Sequence, residues 1–275
     1  MSAPAFLDRM AAASRQRARA ARARAPEGAL AAIARALPAP PPLRLGGFDV
    51  IAEVKLHSPA AGALGSNAFE LEAQLEAYAR GGACAVSILT EPDEFHGDLE
   101  HLRAAAAHLA PRGCPTLRKD FLTEPYQVLE ARAAGAAGVL LIATMLDDTE
   151  LGELVDCARE QGLFVLLEAF DRDDLARIKG LPLAGFPQPV LAGLNCRDLR
   201  TLEIDFSRFA ELAPAMPAHL PNVAESGIRS AADAAAVAGL GFRLALVGSA
   251  LMRAGDAAAL LEQLIESGRA RAAAA

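Results

Sequence analysis

The sequence predicts an α/β fold: a (β/α)8 TIM barrel preceded by an extra N-terminal helical segment. Eight short apolar, β-branched-rich runs alternate with eight helical patterns. The runs are apolar on successive residues instead of alternating with polar ones, which suits a parallel sheet covered by helices. Their starts recur roughly every 25–30 residues, the span of one βα unit. A doubly wound open sheet is the alternative. Such a sheet favours a Gly-rich fingerprint after its first strand, whereas this first run ends in Glu53-Val54-Lys55.

The chain opens with an Ala-rich stretch holding Arg9, Arg15, Arg17, Arg19, Arg22 and Arg24. Asp8 and the scarcity of Ser speak against a transit peptide. Phe6, Leu7 and Met10 give only a weak apolar stripe, so residues 1–45 are read as an extension built on an exposed helix. A Pro-rich hinge at 38–43 follows. Strands are expected at 49–54, 85–89, 116–118, 138–143, 164–169, 190–194, 222–224 and 244–247. Helices are expected at 70–80, 98–109, 125–134, 147–161, 173–178, 206–212, 231–238 and 256–265. Gly81-Gly82, Gly135, Gly162, Gly180, Gly239 and Gly241 mark the turns. Ser230 and Asp233 have the spacing of a capping box, and Ala250–Arg253 after Gly248-Ser249 allows one short helical turn. No boundary interrupts the barrel domain, residues 46–268, and the tail 269–275 is read as frayed helix or disorder.

Hydrophobic content of 53% supports a substantial core. No apolar stretch reaches the length of a membrane helix, and no signal-peptide pattern is evident. A net charge of -7 argues against general nucleic-acid binding. Cys84, Cys114, Cys157 and Cys196 show neither CxxC nor metal spacing, so free thiols in a cytoplasmic protein are expected. The chain is read as a monomer acting on a phosphorylated small molecule, with no metal, cofactor, nucleic-acid or membrane partner.

Barrel chemistry is carried at the C-terminal ends of the strands. Of 27 basic residues only three are lysines: Lys55, Lys119 and Lys179. Lysine, unlike arginine, can give up a proton near neutral pH when desolvated. Lys179 lies in a polar turn, but Lys55 and Lys119 close strands beside acids. Glu53 and Lys55 are two residues apart and so face the same way into the barrel mouth. The fifth strand presents Glu168, the sixth Asn195 followed by Arg197, and the seventh Glu225-Ser226-Gly227. Lysines and carboxylates on several strand ends read as an acid–base site. The turns Ser226-Gly227 and Gly248-Ser249 follow strands seven and eight, where barrels commonly bind phosphate. Ser58, after strand one, could add a hydroxyl.

These residues resemble the indole-3-glycerol phosphate synthase family. The resemblance rests on Ile51-Ala-Glu-Val-Lys-Leu-His-Ser-Pro59, Leu89-Thr-Glu91 with Phe95-His-Gly97, and Leu117-Arg-Lys-Asp-Phe121 with Pro125-Tyr-Gln127. It continues in Leu194-Asn-Cys-Arg-Asp-Leu199, Ala224-Glu-Ser-Gly-Ile228 and Leu246-Val-Gly-Ser249, covering nearly the whole chain. It implies ring closure of 1-(2-carboxyphenylamino)-1-deoxyribulose 5-phosphate with loss of CO2 and water, in tryptophan biosynthesis. By that resemblance Lys119 is the general acid and Glu168 its acid–base partner. Glu53 and Lys55 assist later proton transfers, and Asn195 orients hydroxyls. Arg197 holds the anthranilate carboxylate, Phe95 and Phe121 enclose the ring, and Glu225 contacts substrate. Ser58, Ser226, Gly227, Gly248 and Ser249 bind phosphate. Departures at Leu56, His57, Ala60, Ala61, Phe170, Cys196 and Ala224 are expected to alter the pocket rim and first loop. They keep open a paralogue acting on a substituted anthranilate-derived substrate, or a non-catalytic phosphosugar-binding one. Read from the residues alone, a phosphoribosyl isomerase or a Schiff-base aldolase also remains.

Overall fold

The structure, a computed structural model, describes residues 3–58, 62–63, 71–197 and 203–274. Eight parallel strands close into a barrel: β1 (Asp49–Val54), β2 (Ala85–Leu89), β3 (Thr116–Lys119), β4 (Gly138–Ile142), β5 (Phe164–Ala169), β6 (Val190–Asn195), β7 (Asn222–Glu225) and β8 (Leu244–Val247). Each strand pairs with its neighbours in sequence, and β1 closes the ring by pairing with β8, Asp49 opposite Leu244. Every strand is buried almost end to end, which is why the runs are apolar on successive residues. The surrounding helices are α3 (Leu71–Arg80), α4 (Leu99–Leu109), α5 (Pro125–Ala133), α6 (Asp148–Glu160), α7 (Arg172–Lys179), α8 (Ser207–Leu212), α9 (Ala231–Gly239), the short α10 (Ser249–Arg253) and α11 (Ala257–Ala273).

The period of two along a strand separates two cores. Val50, Ala52 and Val54 point out to the helix layer, as do Val139, Leu141, Val165 and Leu167. Ile51, Leu117, Leu140, Phe164, Leu166, Leu191, Val223, Leu244 and Leu246 fill the barrel interior. Continuing the same alternation toward the C-terminal end turns Glu53, Lys119, Glu168, Asn195 and Glu225 inward, above that apolar plug.

The N-terminal extension holds two helices, α1 (Ala3–Arg24) and α2 (Glu27–Ala36). The reading of an exposed helix is corrected here. Leu7, Met10, Ala11, Ser14 and Ala18 are buried, and Phe6, Leu7 and Met10 join the inner core beside Phe121 and Phe170. So α1 lies across the C-terminal mouth of the barrel. The weak stripe suffices because its few apolar residues meet a concave apolar rim. Next, α2 packs on α5, and the Pro-rich segment after it is held by side chains of the barrel domain. There Arg132 donates to the Leu37 and Pro38 carbonyls, and the buried Leu43 donates its N–H to Gln188. The last helix also runs further than expected, through Arg269 to Ala273.

Candidate active site

A cavity of about 980 Å³ opens at the C-terminal ends of the strands. Glu53, Lys55, Lys119, Glu168, Asn195, Arg197, Glu225, Ser226, Gly227, Gly248, Ser249, Phe95 and Phe121 all line it. The alternation and the closed ring thus bring together thirteen of the fourteen residues singled out from sequence. The fourteenth is Ser58: the side chain of Ser58 lies outside the described part of the structure, as do Ala60, Ala61 and Asp198.

Two lysine–carboxylate pairs stand in the cavity. Lys55 Nζ lies 2.8 Å from Glu53 Oε1. Lys119 Nζ donates to Glu168 Oε2 at 3.3 Å, and Asn195 Nδ2 donates to Glu168 Oε1 at 3.3 Å. Asn195 in turn accepts from the Arg197 N–H at 3.1 Å, which fixes its amide. Burial by itself lowers the pKa of Lys119. The carboxylates around it, Glu168 foremost, outweigh that effect and hold the pKa above the ordinary lysine value. The ammonium therefore keeps its proton at neutral pH, as a proton donor requires.

Glu225 differs from the other acids. Its side chain is buried, and neither carboxylate oxygen meets a donor among the described residues. Burial first, and then the charge of Glu168, raise its pKa well above the ordinary glutamate value, with Lys119 opposing. Glu225 sits within hydrogen-bonding reach of Glu168. Two carboxylates have no proton to share, but a protonated Glu225 can donate to Glu168, which relieves the repulsion and gives one of the two orphaned oxygens a partner. The chain makes room for these acids with glycine. A Cβ on Gly193 of β6 would collide with Glu225 Oε1, and one on Gly248 would collide with Glu53 Oε1.

The cavity has an apolar side and a side of backbone turns. Phe6, Leu7, Phe95, Phe121, Leu140, Ile142 and Phe170 make the apolar wall. Phe121 packs against Phe6 at 6.0 Å and Phe95 at 6.2 Å, edge-on and tilted respectively. Opposite stand Ser226-Gly227 and Gly248-Ser249, with Arg229 and Arg253 on the same side. Ser226 and Gly227 both have positive φ, 70° and 78°. For a serine this conformation is strained, by about 1 kcal/mol or more, and such strain gathers at ligand-binding turns. At the rim the His57 ring stacks on His96 with centroids 4.4 Å apart.

Sequence reasoning missed Phe6 and Leu7 as cavity residues, and Leu140, Ile142, Arg229 and Arg253 with them. Only the stripe on the first helix hinted at the first pair. Among the departures, Phe170 does enter the wall. Cys196 and Ala224 instead face the helix layer, and Cys196 Sγ donates to the Ser226 carbonyl at 3.5 Å. Cys196 thus bears on the cavity through the turn after β7.

The family model described as indole-3-glycerol phosphate synthase matches residues 12–264. The chain is 40% identical over 241 residues to the indole-3-glycerol phosphate synthase of Mycobacterium avium (strain 104), covering 86% of this chain and 85% of that one. It is 45% identical over 216 residues to that of Nocardioides sp. (strain ATCC BAA-499 / JS614), covering 78% and 79%. Among solved structures, 3-hexulose-6-phosphate synthase from Salmonella typhimurium superposes with a TM-score of 0.63 at 15% identity, over 82% of this chain and 100% of that one. That likeness is one of fold alone.

Proposed function

The chain belongs to the indole-3-glycerol phosphate synthase family, and on that premise we propose that its cavity closes the indole ring of 1-(2-carboxyphenylamino)-1-deoxyribulose 5-phosphate. It is a decarboxylating carbon–carbon lyase of tryptophan biosynthesis. The apolar wall takes the aromatic ring, and the turns after β7 and β8 take the phosphate. The pairs between them serve the ketose chain. The observation that carries this reading is the charged Lys119 held against Glu168 between those two ends.

In the first step the ring carbon that bears the carboxylate attacks the ketose carbonyl carbon. Lys119 donates its proton to the carbonyl oxygen, which becomes a hydroxyl as the carbon–carbon bond forms. The carbon–carbon bond to the carboxylate then breaks, and its electron pair restores the aromatic ring as CO2 departs. Last, the new hydroxyl leaves with a proton as water, while a base removes a proton from the neighbouring ring CH2. Glu168 acts on this second proton with Lys119. Glu53 and Lys55, paired at 2.8 Å, assist the dehydration. Arg197 holds the substrate carboxylate, Asn195 orients hydroxyls, and phosphate binding supplies remote energy for positioning.

The test is indole emission after substrate is added to purified protein. The chain contains no tryptophan, so background emission is low. Rapid indole emission from wild-type protein, absent in Lys119→Met, is expected. Substrate binding without emission would overturn the reaction. We also read the chain as a cytoplasmic monomer. Its four cysteines are all unpaired. Among the described residues the exposed large apolar side chains, Ile33, Ile204 and Leu240, come from separate elements. Sedimentation at two concentrations checks the monomer.

A further inference from the structure

We propose that Arg17 is a positioning residue for the reaction. It ties α1, which covers the cavity, to the two loops that hold the aromatic wall. The inference rests on the reaction assigned above but names a residue outside the cavity lining.

Arg17 Nη1 lies 3.3 Å from Glu91 Oε1, and Arg17 Nη2 lies 3.2 Å from Asp120 Oδ1. Both carboxylates are buried, Glu91 without any exposed surface, while the arginine is about one-quarter exposed (27%). Glu91 follows β2 and accepts the backbone N–H groups of Asp93, Glu94 and Phe95, which shapes the loop that presents Phe95. Asp120 follows Lys119. It accepts from the Phe121 N–H at 2.8 Å and from Thr90 Oγ1 at 2.7 Å, which sets the turn that presents Phe121. One guanidinium therefore bridges the braces of two wall residues, and its own helix supplies two more, Phe6 and Leu7.

The charges explain why an arginine stands there. Asp120 has a second cation, Arg118 at 3.2 Å, but Arg17 is the sole cation within ion-pair distance of Glu91 among the described residues. A planar fork reaches two carboxylates on different loops at once, which the point charge of lysine matches only in part. Without it, two buried acids face each other less well compensated and the helix loses its tie to the loops. Phe6, Phe95 and Phe121 then lose their common reference frame. The turns after β7 and β8, on the opposite wall, keep theirs.

That asymmetry gives the experiment. The affinity of the full chain for indole-3-glycerol phosphate is read from the ligand's own indole emission, and that for inorganic phosphate from its competition with this ligand. In Arg17→Ala the affinity for indole-3-glycerol phosphate is expected to fall about tenfold or more. The affinity for inorganic phosphate stays unchanged, and Arg17→Lys recovers part of the loss. Equal weakening of both ligands would make Arg17 merely structural, and unchanged affinity for indole-3-glycerol phosphate would remove it from the site; either overturns the proposal. Wild-type protein that fails to bind indole-3-glycerol phosphate sinks the assigned reaction and this inference together. A bound ligand whose affinity ignores Arg17 sinks this inference alone.

Discussion

At the scale of single residues, the site depends on which acid keeps a proton. Lys119→Met removes the proposed proton donor but keeps an unbranched side chain of similar reach. Turnover should vanish while substrate affinity is largely retained, because a general acid acts in the transition state; kcat and equilibrium binding measured together check this. Glu225 provides a prediction in stability. Its folded pKa is raised above the ordinary value of 4.5, so the folded state binds more protons than the unfolded state above that pH. Stability from this group is then full below about pH 4.5 and is lost as pH rises toward the folded pKa. Glu225→Gln keeps the shape without the titration, so its stability should decline less steeply over that window than wild type. Denaturant unfolding at a series of pH values gives the slopes, and identical slopes would place no shifted proton on Glu225. The acids themselves were legible in the sequence because strand alternation and strand ends fix where they point. Their protonation was not, because it depends on the approach of Glu168 and Glu225 from β5 and β7, more than fifty residues apart in the chain.

At the scale of elements, the strands were legible for a physical reason: burial on both faces keeps the runs mostly apolar on successive residues, and glycines mark several of the turns between units. The capping box at Ser230 and Asp233 forms as its spacing suggests. The extension was much less legible. The second helix, Glu27–Ala36, has the same Ala-rich composition as its surroundings, so no shift in pattern marks it. The burial of α1 depends on contacts that span about a hundred residues of chain, such as Arg17 to Asp120, Gln127 to Ser14 and Arg22 to Glu124. Helix α1 therefore offers a prediction of its own. Met10 is 2% exposed at the barrel mouth, and burying a methionine contributes about 1.5–3 kcal/mol. Met10→Asp loses that term and adds a charge to an apolar surface. The helix should detach while the barrel stays folded. Trypsin reports this, since α1 carries Arg9, Arg15, Arg17, Arg19, Arg22 and Arg24. Faster cleavage within α1 with a persistent barrel fragment is expected, and a wild-type digestion rate would mean that Met10 is not what holds the helix.

At the scale of the whole molecule, chemistry and stability occupy opposite ends of the barrel. Every residue proposed for the acid–base chemistry or for phosphate lies at or just after the C-terminal end of a strand, while the chain's own closure lies at the N-terminal ends. There the last helix fastens to the first strand. Gly268 leaves room for the fully buried Phe48 ring, which a Cβ would strike. One residue on, Arg269 donates from Nε to the Phe48 carbonyl at 3.1 Å and pairs through Nη2 with Asp49 Oδ1 at 2.6 Å. Asp49 is buried and begins β1, and it also accepts the Gly46 N–H at 2.7 Å. The segment from Arg269 looks dispensable in an Ala-Arg sequence because no apolar period runs through it, and its anchor is a single long side chain. Removing residues 269–275, or replacing Arg269 with Ala, leaves a buried carboxylate with one partner fewer. Half of the arginine is exposed, so screening limits the loss to about 1 kcal/mol. For a chain of this size that corresponds to a fall in Tm of roughly 2 °C, and high salt should narrow the difference from wild type. The kinetic constants should not move, because the bridge lies at the opposite end of the barrel from Lys119 and Glu168. Thermal unfolding at low and high salt, with kcat and KM measured on the same preparations, separates the two ends. An unchanged Tm would make the tail as dispensable as its sequence suggests, while altered kinetics would show that the two ends of the barrel are coupled.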